Sequence, residues 1–295
     1  MKIFDCTTYF DEKMLMDVRF NVLDEYVQKF IVVESIYSHS GEKKNLNFDI
    51  NLYPKFKDKI EYLVIEEEPK NLASNDEIVL NPHLKRLNSI KRIEQSYNYM
   101  EKGISSAQDE DLILISDNDE IPNLDSNMFK TNKNSFILFK QFFFYYKFNY
   151  LYDRMVWFGT KGCKKKKFSK FSNLRNLKNK KYPFWRLDTF FSNLKQTDIN
   201  IINDGGWHFT NLKSAEDLYI KLKNFGHHDE FDLSGLSIND LKNKIDRGIV
   251  FYDHFADKSS KEKWNFDYKL KKIKDDMLPE YLVNNKNKFK DWFVD

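Results

Sequence analysis

Asp111-Leu112-Ile113-Leu114-Ile115-Ser116-Asp117-Asn118-Asp119-Glu120-Ile121-Pro122-Asn123 is the stretch on which the reading of this chain turns. Leu112 to Ile115 is a short, uninterrupted apolar run, the pattern of a strand covered on both faces, where neither face can be polar. Asp117, Asp119 and Glu120 follow at once, and Pro122, with no amide hydrogen to give a ladder, is expected to stop further pairing. In an open α/β sheet ligands bind at the carboxyl ends of the strands, and in extended backbone Asp117 and Asp119, two apart, would face the same side. Like charges that close either raise a pKa or share a cation, and hard carboxylate oxygens suit Mg²⁺ or Mn²⁺. A bare Asp-x-Asp is more often an acidic turn after a strand; the buried run before it and the Glu-Ile-Pro after it favour a site.

Upstream of this stretch, strands and helices alternate. Ile3-Phe4-Asp5-Cys6 reads as a first strand, and Asp11 to Tyr26 as an amphipathic helix with Met14, Leu15, Val18, Val22, Leu23 and Tyr26 at three- and four-residue steps. Phe30 to Val33 and Ile60 to Ile65 are further strands, with Ser38-His39-Ser40-Gly41 as a loop able to contact a ligand. Leu84, Leu87, Ile90, Ile93, Tyr97 and Met100 form one stripe of a long helix, and Lys85, Arg86, Lys91 and Arg92 lie off it on what is expected to be a solvated face. The alternation predicts an α/β fold with a Rossmann-type, mostly parallel central sheet flanked by helices. Neither a Gly-x-Gly-x-x-Gly nor a Gly-Lys-Ser/Thr phosphate loop occurs; the first glycine is Gly41.

Downstream, Ser135 to Tyr152 is dominated by Phe and Tyr and reads as one or two strands whose aromatics fill core, some being able to stack on a sugar ring. Lys161 to Lys181, with Lys164 to Lys167 consecutive, is the strongly basic segment. It reads first as a mobile solvated loop and second as a phosphate- or membrane-facing patch. Asp204-Gly205-Gly206-Trp207-His208-Phe209 suggests backbone brought close to a ligand or another strand. Ser214 and Ser237 are expected to cap helices, and the chain from about residue 213 to 295 to be mostly helical and polar.

The totals narrow the function. With 48 Lys+Arg against 45 Asp+Glu the net charge is +3, so no global field points to nucleic acid. The 27 Phe and 16 Tyr argue for a packed core rather than disorder. Cys6 and Cys163 are too few for a disulfide framework and suit a reducing compartment. Met1-Lys2 leads directly into the first strand rather than into a signal-peptide pattern, and no apolar run has spanning length, so a soluble cytoplasmic protein is expected.

Several clusters together resemble glycosyltransferase family 17, the family of the enzyme that adds the bisecting N-acetylglucosamine to N-glycans. They are Ile3-Phe4-Asp5-Cys6 followed by Glu12, Leu15 and Arg19; Val33-Glu34 followed by Ser40-Gly41; Ile115 to Pro122; Gly205 to Phe209; and Lys223 to Phe231 with its Phe-Gly-His core. They keep their order over most of residues 1 to 250. The resemblance implies a GT-A-like catalytic domain over 1–295, with a donor half to about 125, an acceptor half at about 126–212 and a helical C-terminal part. It implies an inverting transfer from a nucleotide sugar such as UDP-N-acetylglucosamine to a glycan or glycolipid-precursor acceptor, with a divalent Mn²⁺ or Mg²⁺ as cofactor. On this reading Asp117 and Asp119 serve metal and diphosphate with Glu120 beside them, and Glu34 and Arg19 help hold the donor. Asp204 and His208 flank the Gly-Gly and are the candidate bases, His208 also a candidate metal ligand. Two rivals share parts of this picture. A sugar-1-phosphate nucleotidyltransferase would ordinarily carry a Gly-rich basic loop where this chain has Thr7-Thr8-Tyr9-Phe10-Asp11, and a nucleic-acid-binding protein would rest on Lys161 to Lys181 alone.

Overall fold

The structure, a computed structural model, describes residues 1–81, 83–224, 231–232, 234–256, 263–264 and 266–294. Its first third is the wound sheet the alternation predicts. Strands β1 (Ile3–Thr8), β2 (Lys29–Ser35), β3 (Ile60–Ile65) and β4 (Leu112–Ser116) lie in the order 3-2-1-4, every pair parallel. Helix α1 (Lys13–Leu23) joins β1 to β2, and α2 (Asn75–Leu80) and α3 (His83–Tyr99) precede β4. The apolar runs divide by period two between two cores. Leu112 and Leu114 of β4 pack with Phe30 and Val32 of β2 and with Leu15, Val18 and Phe20 of α1. Ile113 and Ile115 pack on the other face with Ile31, Val33, Met100 and Ile104. Both faces are covered, which is why these strands carry no polar alternation.

Beyond β4 the sheet is mixed, not mostly parallel. After β5 (Glu120–Pro122) and the short α4 (Asn127–Lys130), β6 (Phe136–Tyr145) leads through β7 (Tyr150–Leu151) to β8 (Trp157–Lys164). β8 inserts antiparallel between β4 and β6. The return from β6 to β8 contains no crossover helix, and without one neighbouring strands can pair only antiparallel. β6 is long enough to change neighbours: β9 (Ile199–Ile202) runs parallel to its first half and β10 (Gly206–Thr210) to its second. The switch falls at Gly205, where a Cβ would stand 2.5 Å from the Lys140 backbone nitrogen, and at Gly206, held at φ +110° with the Ile121 carbonyl 2.2 Å from any Cβ. The glycine pair therefore serves strand approach. Pro122 does not end pairing: it lies in β5, whose partner is β10 on one side only, so its missing N–H can face away.

The basic segment is ordered. It comprises the end of β8, a single 3₁₀ turn at Lys165–Lys167 and α5 (Phe171–Arg175). Lys161 is buried, donates to the Leu177 carbonyl at 2.6 Å, and is lowered to about 8 by burial and the nearby Arg175. Lys164 and Lys166 both pair with Glu110. Of the predicted caps, Ser214 accepts from Asp217 N–H at 3.0 Å at the head of α6 (Ala215–Asn224). Ser237 forms a reciprocal capping box with Asp240 at the head of α7 (Ile238–Arg247), which ends on Gly248 at φ +62°. The rest of the C-terminal part holds β11 (Lys271–Lys272), paired to β7, and one short helix, α8 (Glu280–Asn284), between 3₁₀ turns and loops. Cys6 and Cys163 are buried free thiols of the second core.

Candidate active site

The turn after β4 is held from three sides. From below, Arg19 on α1 is wholly buried and forms a two-pronged pair with Asp5 of β1, Nε to Oδ2 at 2.7 Å and Nη2 to Oδ1 at 2.6 Å. Its remaining N–H groups donate to Ser116 Oγ (2.6 Å) and to the carbonyls of Asp117 (3.3 Å) and Glu120 (2.8 Å). From within, Glu120 N–H donates to the Asp117 carbonyl at 3.0 Å, closing a turn over Asn118 and Asp119. The backbone is not extended here, and the two aspartates face different partners.

From the side, Arg175 of α5 donates to Asp117 Oδ2 (2.6 Å) and, through both Nη atoms, to Glu120 (2.8 and 3.0 Å). Glu120 has no exposed side-chain surface; it also accepts from Trp157 Nε1 (2.6 Å) and from Asp117 N–H (2.9 Å). Gly159 makes room for it: a Cβ there would meet Gln141 Oε1 at 1.9 Å and Glu120 Cδ at 2.9 Å. Asp117 Oδ1 accepts from Tyr97 Oη at 3.0 Å, so both Asp117 oxygens are engaged. Burial in the cleft and the neighbouring Glu120 and Asp119 carboxylates push Asp117 up to about 6 against the pull of Arg175.

Asp119 is the carboxylate left for chemistry. Its Oδ2 stands 3.4 Å from His208 Nε2, a pairing fixed because His208 on β10 sits opposite Glu120 on β5 and Phe209 N–H donates to the Asp119 carbonyl at 2.8 Å. Burial works against the charge on Asp119, but His208, Lys221 and Arg175 outweigh it and hold the carboxyl down at about 2. His208 stacks on Trp157 with centroids 4.7 Å apart and touches Phe143 at 4.6 Å, and its Nδ1 has no hydrogen-bond partner among the described residues.

Above the turn opens a cleft of about 330 Å³. Thr8, Tyr9 and Phe10 line it from the end of β1, Val33, Ser35, Ser38 and His39 from the end of β2, and Asp117 to Asp119 from the end of β4. Ile90, Ile93 and Tyr97 of α3 form one wall, Lys221 and Asn224 of α6 another. The α3 stripe thus serves the cleft more than the core, with Leu87 and Ile90 38% and 46% exposed. Glu12, also lining the cleft, accepts from Asn118 Nδ2 at 2.6 Å.

Of the residues singled out in the sequence, Asp117, Asp119 and Glu120 meet at one turn and His208 joins them. Arg19 and Glu34, expected to hold the donor, are both wholly buried and lie outside the cleft lining. Glu34 accepts from Lys44 Nζ, from Tyr62 Oη (2.8 Å) and from the amides of Asn47 (2.8 Å) and Phe48 (3.0 Å), so it fixes the loop after β2. Asp204 is exposed, held only by Asn123 Nδ2 at 3.2 Å, and four strand residues, roughly 13 Å at the usual rise, separate it from His208. The Phe225-Gly226-His227 cluster lies outside the described residues. Arg175, Trp157 and Lys221 were missed: Arg175 is hidden among lysines in sequence, and the others reach the site only through tertiary folding.

A divalent ion needs oxygen or imidazole ligands around one point. Among the described residues no group of three or more His, Cys, Asp and Glu offers that, so the chain supplies a two-ligand partial set, Asp119 and His208. Such a set fits an ion whose other positions go to water and substrate phosphate oxygens. Compared with known proteins, residues 1–293 match the family model described as Glycosyltransferase family 17. A search of curated proteins gave no match.

Proposed function

The chain belongs to glycosyltransferase family 17, and from that premise we propose that the Asp117–Glu120 turn is its donor-diphosphate site. The observation that carries this is the Asp119–His208 pair at the floor of a cleft built from the carboxyl ends of three parallel strands. A nucleotide sugar would lie with its diphosphate over Asp119 and its base toward Tyr9, Val33 and Ser35. Asp119 and His208 would hold Mn²⁺ or Mg²⁺, which when bound supplies Lewis-acid neutralisation of the leaving diphosphate. Lys221 approaches the same carboxylate and adds a positive charge where the diphosphate would lie. Asp117 and Glu120 act as positioning residues: with Arg175 they clamp the turn so that Asp119 is presented without reorganisation.

The donor is a UDP-sugar, N-acetylglucosamine being the sugar the family resemblance favours, moved with inversion to a glycan or glycolipid-precursor hydroxyl. Of the two candidate bases only His208 stands at this turn, and Asp204 at the far end of β10 is left with no part in the chemistry. The test is to incubate the protein with Mn²⁺ and a panel of nucleotide sugars and to measure release of free nucleoside diphosphate. Release from one UDP-sugar, abolished by His208→Ala as well as by Asp119→Asn, is expected. No release from any donor, with or without glycan acceptors, would overturn the reading.

A further inference from the structure

The loop from Lys178 to Lys195 lies outside the site and is built as a closed projection. Its neck is tied by Lys178 N–H donating to the Leu194 carbonyl (2.8 Å) and Tyr182 N–H to the Gln196 carbonyl (3.1 Å). Within it, Asp188 takes both Arg186 (2.7 Å) and Lys195 (2.6 Å), while Thr189 and Phe190 N–H close turns on the Arg186 and Leu187 carbonyls. A loop so braced could hide apolar side chains beneath itself. It does the opposite: Phe184, Trp185, Leu187, Phe190 and Phe191 are exposed by 78, 68, 74, 75 and 92%. Exposed apolar clusters of this size mark contact surfaces. The surround is basic, with Lys178, Lys180, Lys181 and Arg186 exposed and five basic residues against one acidic across the loop.

We propose that this loop anchors the protein to the surface of an anionic lipid bilayer. The aromatic rings and Leu187 enter the boundary between headgroups and acyl chains, and the flanking lysines meet lipid phosphates. That pairing of Trp and Phe with a cationic rim is what an interfacial anchor requires, since burial of rings and attraction to anionic headgroups act together where neither alone holds. A second copy of the chain fits less well, because two copies of a net positive loop would repel on approach. The consecutive lysines at 164–167 are not needed, since Lys164 and Lys166 already pair with Glu110. The proposal does not depend on the donor site, and its readout needs no turnover.

The full chain should sediment with vesicles of phosphatidylglycerol and phosphatidylcholine, less with phosphatidylcholine alone, and less as salt rises. The double variant Phe190→Ser/Phe191→Ser should lose vesicle affinity on the order of tenfold or more, from the apolar area no longer buried. Lys180→Ser/Lys181→Ser should weaken binding only to anionic vesicles. All four side chains are exposed, so both variants should melt as the parent does, and nucleoside diphosphate release with a water-soluble acceptor should be unchanged. Failure of the parent protein to bind either vesicle, or parent-like binding by the aromatic variant, would overturn the proposal. So would self-association of the parent in sedimentation velocity that the aromatic variant abolishes while vesicles have no effect.

Discussion

The carboxylates after β4 differ in what holds them, and that difference is testable residue by residue. Asp119 makes its structural bond through its backbone carbonyl, to Phe209, while its side chain meets only His208, at 3.4 Å. Asp119→Asn should therefore leave thermal unfolding without metal close to the parent and cut turnover by roughly two orders of magnitude or more. A stability loss above about 1 kcal/mol with activity falling in proportion would mark the turn as merely structural. Arg19 is the reverse case. Arg19→Met leaves Asp5, 1% exposed, as an uncompensated buried charge, and should cost about 3–5 kcal/mol in urea unfolding; a cost below about 1 kcal/mol would refute its pinning role. Asp117 gives a pH signature. Its pKa is raised in the fold, so the native state binds the extra proton between the unfolded value and about 6, and its contribution to stability declines as pH rises through that window. Unfolding free energies of the parent and of Asp117→Asn, followed from pH 4 to 7 as a roughly chosen span of that window, should diverge in slope there and run parallel above it.

At the scale of elements, β10 is what brings His208 to Asp119, and the glycines at its start let it lie between β5 and β6. Gly206→Ala places a Cβ 2.2 Å from the Ile121 carbonyl at a φ of +110°, and backbone cannot yield as a side-chain tip can. A loss of about 2 kcal/mol or more is expected, with turnover falling beyond what the unfolded fraction explains because His208 moves with the strand. Measuring both on the same preparation separates the effects. Helix α3 makes a contrasting case. Its sequence stripe predicts core packing, yet Ile90 is nearly half exposed and lines the cleft. Ile90→Ser should change stability by less than about 0.5 kcal/mol, as an exposed site does, while weakening UDP binding measured by calorimetry.

At the scale of the whole molecule, a cleft whose floor offers only two protein ligands predicts that UDP binds more weakly in EDTA than with Mn²⁺, since the ion and the diphosphate complete each other's coordination. Equal affinities by calorimetry would remove the metal from the proposed site. What the sequence determined by itself is local and periodic. Apolar runs of Leu112 to Ile115 and Phe30 to Val33 specify strands covered on both faces; Ser214 and Ser237 specify helix starts; Asp117 to Glu120 after a buried strand specify a polar strand end facing ligand. These follow from burial period and from side chains bonding their own backbone neighbours, so a window of a few residues contains the cause. The antiparallel insertion of β8, the exchange of partners along β6 and the separation of Asp204 from His208 were decided by tertiary structure. Pairing direction depends on how distant segments return to the sheet. The same holds for Arg175 and Glu120: one Arg among lysines becomes a clamp only because α5 packs beside a turn 58 residues earlier in the chain, and long-range packing leaves no mark on the spacing of the residues it joins.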